Sequence, residues 1–264
     1  GVFATLDRYE PTGFHEMFKD HAPAPIVWEK AEGAQIHDRH GNMWLDFTSA
    51  IISANAGHSN PRILAAVQQQ VDAQLLHTYS YATRVRADYV EYLIENTPEQ
   101  FEKVFLCSGG TEACENALKV MRAQGAALGK RRCGTIAFSG NYHGRTMGAV
   151  LMAGGKEANP WVSADDGVDM WQLPFPYPEG VNGAGSEATD DPVAFFEESM
   201  ASLLAQEGLD PAQDLCGMIF ETFQGWGTWF YPKEFVHAAV AFCRKHGLVV
   251  TFDEMQSGFG RTGE

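Results

Sequence analysis

The sequence predicts an α/β protein: a three-layer α/β/α arrangement on a mostly parallel sheet, preceded by an N-terminal segment. Three observations carry that expectation. From Lys103 onward, short apolar runs alternate with helical patterns, the rhythm of parallel strands joined by crossover helices. Several of these runs end in loops rich in Gly and hydroxyl residues, as where a parallel sheet offers its carboxyl end to a ligand. The composition, 45% hydrophobic and 20% charged over 264 residues, is that of a soluble globular chain long enough for a sizeable core in one or two domains.

Each element has its own signal. Residues 34–47 alternate around the turn-former His40-Gly41-Asn42 and predict a small hairpin. Asn60-Pro61 starts a helix, with Ile63, Leu64, Val67, Val71 and Leu75 recurring on one face. A second helix is expected over 87–95. Strands are expected at 104–107, 135–138, 170–173, 218–221 and 248–253, with helices at about 112–124, 145–153, 192–207 and 232–246. The Pro-, Gly- and acid-rich stretch 174–191 reads as a long surface loop inside one domain, because the same alternation continues on both sides of it.

The formal charge of −15 repels nucleic acid and anionic membranes, so neither is an expected partner. A phosphate would have to be held locally, by backbone N–H groups or a few placed cations. Five cysteines without a CxxC pair read as reduced thiols used as small core residues. The first twenty residues are too charged for a secretory signal, and no apolar run approaches the ~18 residues of a membrane span. A cytoplasmic location is expected.

Four loops lie where the chemistry should be. Ser108-Gly109-Gly110-Thr111 joins a strand to a good helix. Its glycines permit close backbone approach, and the helix start offers free N–H groups to an anion; a plain turn with Thr111 as N-cap explains it equally well. Asn141-Tyr142-His143-Gly144-Arg145-Thr146 sets aromatic rings beside a cation, a stacking face and an acid partner for a flat ligand. A third loop begins at Glu221. Asp253 ends an apolar strand expected to be buried on both faces, where a carboxylate needs a partner: a protonated ring nitrogen, a neighbouring Arg or a helix N-terminus. Gly258-Phe259-Gly260-Arg261-Thr262-Gly263 matches GxGxxG, but Glu254–Ser257 separate it from the strand, so it is not read as a dinucleotide fingerprint. No HExxH or Cys/His cluster predicts a metal, and no GxSxG elbow predicts serine hydrolysis.

Together the segments WLDFTSAIISANAGHSNP (44–61), SGGTEACENALKVMR (108–122), YHGRT (142–146), FETFQG (220–225) and FDEMQSGFGRTG (252–263) resemble the class-III aminotransferases, a branch of the fold-type-I pyridoxal-phosphate (PLP) enzymes. The resemblance runs from about Asp38 to the last residue. It implies that Gly109, Gly110 and Thr111 hold the phosphate of PLP and that Tyr142 stacks on its ring beside His143. Asp253 would pair with the ring nitrogen, Gln256 would lie near the phenolic oxygen, and Glu221 would border the reacting centre. Ile52, Arg145 and Trp226 are the implied substrate contacts, Arg145 as a partner for a carboxylate. Residues 1–60 would contribute to a small domain and the active-site rim, and 61–264 would form the PLP-binding large domain. The expected reaction moves an amino group from an amino acid or amine to a 2-oxo acid, in a homodimer of the full-length protein. Another fold-type-I PLP reaction (aminomutase, racemase or decarboxylase) and a non-catalytic binding protein of the same fold are the alternatives.

Two departures from the family pattern stand out. Where many members have a glutamate after Gln-Gly, this chain has Trp226, which suggests a bulkier or more apolar substrate wall. The family's Schiff-base lysine and its carboxyl-terminal small domain, with a substrate-binding arginine, are expected beyond Glu264; the last lysine here is Lys245. Lys103 opens a strand pattern, Lys119, Lys233 and Lys245 fall in helical patterns, and Lys156 is the least constrained. Borohydride reduction of the 264-residue chain after PLP treatment, followed by peptide mapping, is therefore expected to give scattered, substoichiometric labelling. Stoichiometric labelling at one lysine would overturn this.

Overall fold

The computed structural model of the chain describes residues 1–11, 26–154, 169–177, 189–225 and 227–263. Trp226, Lys156 and most of the 174–191 loop lie outside the described residues. The chain forms two compact units, Gly1–Glu102 and Lys103–Glu264. This division coincides with the change of rhythm at Lys103. The helices after Asn60 belong to the same unit as the preceding hairpin.

The N-terminal unit opens with α1 (Val2–Tyr9). A three-stranded antiparallel sheet follows, with β1 (Lys30–Glu32), β2 (Gln35–His37) and β3 (Met43–Leu45) in sequence order. Its β2–β3 hairpin turns through His40-Gly41-Asn42 as expected, and Asp38 fixes the turn by accepting from the N–H groups of His40 and Asn42. The chain then makes a left-handed turn in which Ser49, Ala50, Ile51 and Ile52 all have positive φ, a conformation unfavourable for β-branched residues. The Asp46 carboxylate anchors it, accepting from Thr48 N–H, Thr48 Oγ1 and Ala50 N–H and bonding His58 Nε2 at 2.8 Å. Asn60 caps α2 (Pro61–Asp72) and Thr83 caps α3 (Arg84–Glu95). The apolar stripe of α2 (Ile63, Leu64, Val67, Val71) is solvent-exposed, and Leu75 lies past the helix end.

The second unit contains the parallel sheet. Its strands are β4 (Gly134–Phe138), β5 (Met170–Leu173), β6 (Leu215–Glu221) and β9 (Val249–Asp253), in spatial order β5-β4-β6-β9 and all parallel. A small antiparallel pair, β7 (Phe223–Gln224) and β8 (Trp229–Phe230), follows β6. The helices are α4 (Gly110–Ala127), α5 (Met147–Met152), α6 (Pro192–Glu207), the short α7 (Pro211–Asp214) and α8 (Lys233–His246). They lie close to the expected positions.

Two expectations fail. The run 104–107 forms no strand: Phe105 and Leu106 are exposed, and no ladder partner for it is found among the described residues. An apolar run becomes a strand only when another strand meets its N–H and C=O groups. Asp253 ends a strand that is not buried on both faces, for β9 lies at the edge of the sheet and Phe252 is exposed.

The sheet is covered on both sides. Ile136, Phe138, Met218 and Phe220 pack with Phe196 and Met200 of α6 and with Phe235, Ala239 and Cys243 of α8. On the other face Ala137, Cys216 and Ile219 pack with Cys114, Leu118 and Met121 of α4 and with Ala149 and Met152 of α5. A bulge in β6 sets this partition. Gly134 pairs with Leu215 but Thr135 pairs with Gly217, so Cys216 is the extra residue. Cys216 and Gly217 consequently both face α4, where a Cβ on Gly217 would collide with the fully buried Met121. Gly217→Ala is expected to destabilise the protein by about 1–3 kcal/mol, read as a lowered urea midpoint; an unchanged midpoint would show that this seam is loosely packed.

Candidate active site

The α4 start and the loops after β4, β6 and β9 bring their polar residues to the carboxyl end of the sheet, where parallel sheets bind ligands. The helix start comes first in sequence. α4 begins at Gly110 with Gly109 in the cap position and no side-chain cap. Thr111 therefore lies in the first turn and is not the N-cap. Glu112 Oε2 reaches back to accept from Ser108 N–H at 2.8 Å, and the cap residue of this 18-residue helix supplies no side-chain acceptor to the first-turn N–H groups. A Cβ on Gly110 would stand 2.5 Å from the methyl of Met255. The close approach at Gly110 is thus to a side chain of the β9 loop.

The loop after β4 passes against this turn. Gly144 has φ +122, and a Cβ there would overlap Thr111, so only glycine lets the two segments meet. His143 is thereby carried inward and is buried, whereas Arg145 stays exposed with its guanidinium carbon 5.6 Å from the centroid of the Tyr142 ring. That arrangement is a cation–π contact. Asn141 accepts from the buried Tyr231 hydroxyl at 3.0 Å. Glu115, one turn into α4, accepts from Thr146 Oγ1 and from the Gly148 and Ala149 N–H groups, which caps α5 from a neighbouring helix.

Asp253 stands at the end of β9, its side chain 8% exposed. Its Oδ2 meets His143 Nδ1 at 2.9 Å and accepts from the Cys114 thiol at 3.1 Å, while Oδ1 accepts from Met255 N–H at 3.0 Å. Burial pushes this carboxyl up, but the His143, Cys114 and Met255 hydrogen bonds outweigh it, and the net direction is down. Asp253 is therefore an ionised carboxylate, and a carboxylate only accepts, so His143 Nδ1 carries the proton of that bond. Burial, with the charges of Asp253 and Glu221 adding, raises the Cys114 thiol far above its ordinary value. Cys114, His143 and Asp253 have their ligating atoms within 4.8 Å of one another. A thiol held protonated is a hydrogen-bond donor, not a metal ligand.

Glu221 pairs in register with Asp253 across the β6–β9 ladder. Its carboxylate accepts from Tyr142 N–H at 3.0 Å and Gly225 N–H at 3.4 Å. Burial dominates and, helped by the Asp253 charge, pushes Glu221 up to about 7 despite those bonds. Two neighbouring carboxyl groups thus titrate far apart, one held ionised and one poised near neutrality.

Of the residues expected at the site, Thr111, Tyr142, His143, Glu221, Asp253 and Gln256 are brought together by these loops. Ile52 lies in the left-handed turn of the N-terminal unit. Sequence reasoning missed Cys114, which sits on the buried side of α4 with Leu118, Met121 and Gly125; the spacings of four, three and four were the available signal. It also missed Gln224, which donates to Gly140 O at 2.9 Å and accepts from Gly227 N–H at 3.0 Å, tying the β6 loop to the β4 loop.

Several buried polar atoms here have no hydrogen-bond partner among the described residues: Asn141 Nδ2, His143 Nε2, Gln256 Oε1 and Ser257 Oγ. Such atoms are costly unless a ligand or water meets them. An ionised carboxylate, unpaired buried donors and acceptors, and a helix start form a set that suits a flat, cationic-ring ligand with an anionic group. PLP fits that description, with the Met255 side chain crowding the Gly110 end.

Comparison with known proteins agrees with this chemistry. A family model for class-III aminotransferases matches residues 17–264, and the chain belongs to that family. PLP is the cofactor of class-III aminotransferases. The chain is 34% identical over 244 residues to a probable 4-aminobutyrate aminotransferase of Bacillus subtilis (strain 168), covering 89% of this chain and 52% of that protein. It is 30% identical over 272 residues to the ornithine aminotransferase of Saccharomyces cerevisiae, covering 99% and 59%. Its fold matches the taurine:2-oxoglutarate aminotransferase of Bifidobacterium kashiwanohense, solved with PLP and glutamate, at a TM-score of 0.79 and 23% identity, over 100% of this chain and 57% of that one. The fold is that of the fold-type-I PLP transaminases. The chain spans about half the length of the curated relatives it matches.

The raised Glu221 value has a measurable consequence. Between pH 4.5 and about 7 the folded state holds a proton that the unfolded state has released. The stability tied to this group is full below pH 4.5 and falls as pH rises through about 7. Chemical denaturation across this range should show that decline, and Glu221→Gln should lose it. An identical pH slope in both proteins would refute the raised value.

Proposed function

We propose that the protein is a PLP-dependent aminotransferase that moves an amino group from an amino acid or amine to a 2-oxo acid. The observation that carries this reading is Asp253: an ionised carboxylate at a strand's carboxyl end, fixed by His143 and Cys114 and flanked by buried polar atoms without partners among the described residues. PLP, when bound, supplies the electron sink that accepts the pair released as a substrate's α-proton leaves.

The residues divide the work. Gly109, Gly110 and Thr111, at the start of α4, hold the phosphate with backbone N–H groups; the chain's net charge of −15 makes such local binding necessary. Asp253 keeps a ring nitrogen protonated, because an ionic partner in a buried site stabilises the charged form. Tyr142 gives the ring a face, its own position fixed by the bond from its N–H to Glu221. Gln256 offers a polar contact to the ring's phenolic oxygen. Glu221 borders the reacting centre and can hold or release a proton near neutral pH.

Ile52, Arg145 and Trp226 are assigned to the substrate side. The relatives are named for 4-aminobutyrate and ornithine, donors with an amino group far from the carboxylate. The bulky Trp226 in the Gln224-Gly225-Trp226 sequence favours a larger or more apolar donor here. A homodimer and a cytoplasmic location complete the reading. The acidic charge disfavours nucleic acid and anionic membranes as partners, and among the described residues no helix is long and apolar enough to cross a membrane.

Asp253→Asn in the full-length protein should remove most transamination, by roughly 10²-fold or more, while the circular dichroism spectrum stays unchanged. Amino transfer to 2-oxoglutarate, followed by product analysis, is the assay. Near-normal turnover would overturn the role given to Asp253, and PLP-dependent product without amino transfer would favour an aminomutase, racemase or decarboxylase.

A further inference from the structure

The two oxygens of Asp253 are not equivalent. Each carboxylate oxygen has room for about two hydrogen bonds. Oδ2 takes both of its bonds from buried side chains, His143 Nδ1 at 2.9 Å and Cys114 Sγ at 3.1 Å. Oδ1 takes one, from Met255 N–H at 3.0 Å, and keeps capacity for another.

Cys114 reaches this position through its place in the fold. It is the first buried residue of α4, followed along the same stripe by Leu118, Met121 and Gly125. Only a residue this close to the start of α4 reaches the carboxyl end of the sheet. It belongs to an apolar cluster with Ala137, Ala149, Met152 and Ile219. A thiol tolerates such packing as a small hydrophobe and still donates weakly.

A thiol is also electrically suited to this contact. Burial and the charges of Asp253, Glu221 and Glu115 all oppose its ionisation. A neutral S–H orients the carboxylate without cancelling its charge, whereas a lysine or arginine there would form a closed ion pair. The Asp253 charge stays available to a ligand.

We propose that Cys114 is a positioning residue of the site: its S–H, with His143, fixes Oδ2 of Asp253 and reserves Oδ1 for the protonated ring nitrogen of PLP. This rests on the functional reading above. Cys114 does not touch the reacting atoms; it acts through Asp253.

Two measurements test it. The first needs no cofactor. The S–H stretching band of Cys114 is isolated as the wild-type minus Cys114→Ala vibrational difference spectrum, and that of Cys243 in the same way. Cys243 is a buried thiol whose acceptor is the Met218 sulfur at 3.8 Å, so it serves as an internal reference. The Cys114 band is expected at lower frequency, as for a thiol bonded to a carboxylate. Coincident bands would overturn the hydrogen bond and the proposal with it.

The second is a fluorescence titration with PLP at several pH values, on wild type, Cys114→Ala and Cys114→Ser, with thermal midpoints measured alongside. The titratable groups facing Asp253 are Cys114 from α4, His143 from the β4 loop and Glu221 from β6. Losing the thiol donor lets Asp253 protonate at higher pH, so Cys114→Ala should weaken PLP binding about three- to tenfold, most strongly at the acid end. Serine, which restores a donor, should recover most of the affinity. Wild-type affinity and pH profile in Cys114→Ala, or equal losses in alanine and serine that follow the thermal midpoint, would reduce Cys114 to a packing residue and refute the proposal. Failure of the wild-type protein to bind PLP would instead refute the functional reading and the role of Oδ1, leaving the vibrational result to stand by itself.

Discussion

A buried negative charge organises the second unit. Desolvating the Asp253 carboxylate is costly, and the fold meets that cost with donors from three directions: α4, the loop after β4, and the backbone of its own loop. Each donor imposes a constraint elsewhere. Cys114 must lie on the buried stripe near the start of α4, His143 must be carried inward, and Gly144 must lack a side chain for that loop to pass Thr111. The same packing buries Glu221 beside Asp253 and raises it. One charge thus accounts for the placement of a helix, a glycine and a second acid.

The bulge in β6 serves this arrangement from the opposite direction. By turning both Cys216 and Gly217 toward α4, it lets the helix settle against the sheet at a residue without a side chain. The buried Met121 fills the space. α4 links that seam to the site, with Met121 against Gly217 and Cys114, two turns nearer the helix start, against Asp253.

Much of this was legible in the sequence, because the relevant signals are periodic or local. The strands at 135–138, 170–173 and 218–221 and the helix over 192–207 follow from patterns that a parallel sheet imposes on each element separately. The candidate loops were found because ligands gather at the ends of such strands. What escaped depends on contacts distant in sequence. Nothing local reveals that 104–107 lacks a ladder partner among the described residues, that β9 lies at the edge of the sheet they form, or that Met255 crowds Gly110. Cys114 looked like a core thiol, and it is one; its second role is visible only once Asp253, far along the chain, is seen at its side.

The strand order has a bearing on how the protein acquires its site. β4 pairs with β5 on one side and β6 on the other, and among the described residues β9 adds only to β6. Asp253 on β9 meets His143 after β4 only when β6 has paired with both strands, and the β4–β6 closure spans a long intervening segment, which makes it slow. Thr111 and His143, encoded far upstream, join Asp253 only once both ladders stand. The ability to capture a cofactor would then emerge late in the folding trajectory, and bound ligand would act as a latch on the completed sheet rather than as a template for its assembly.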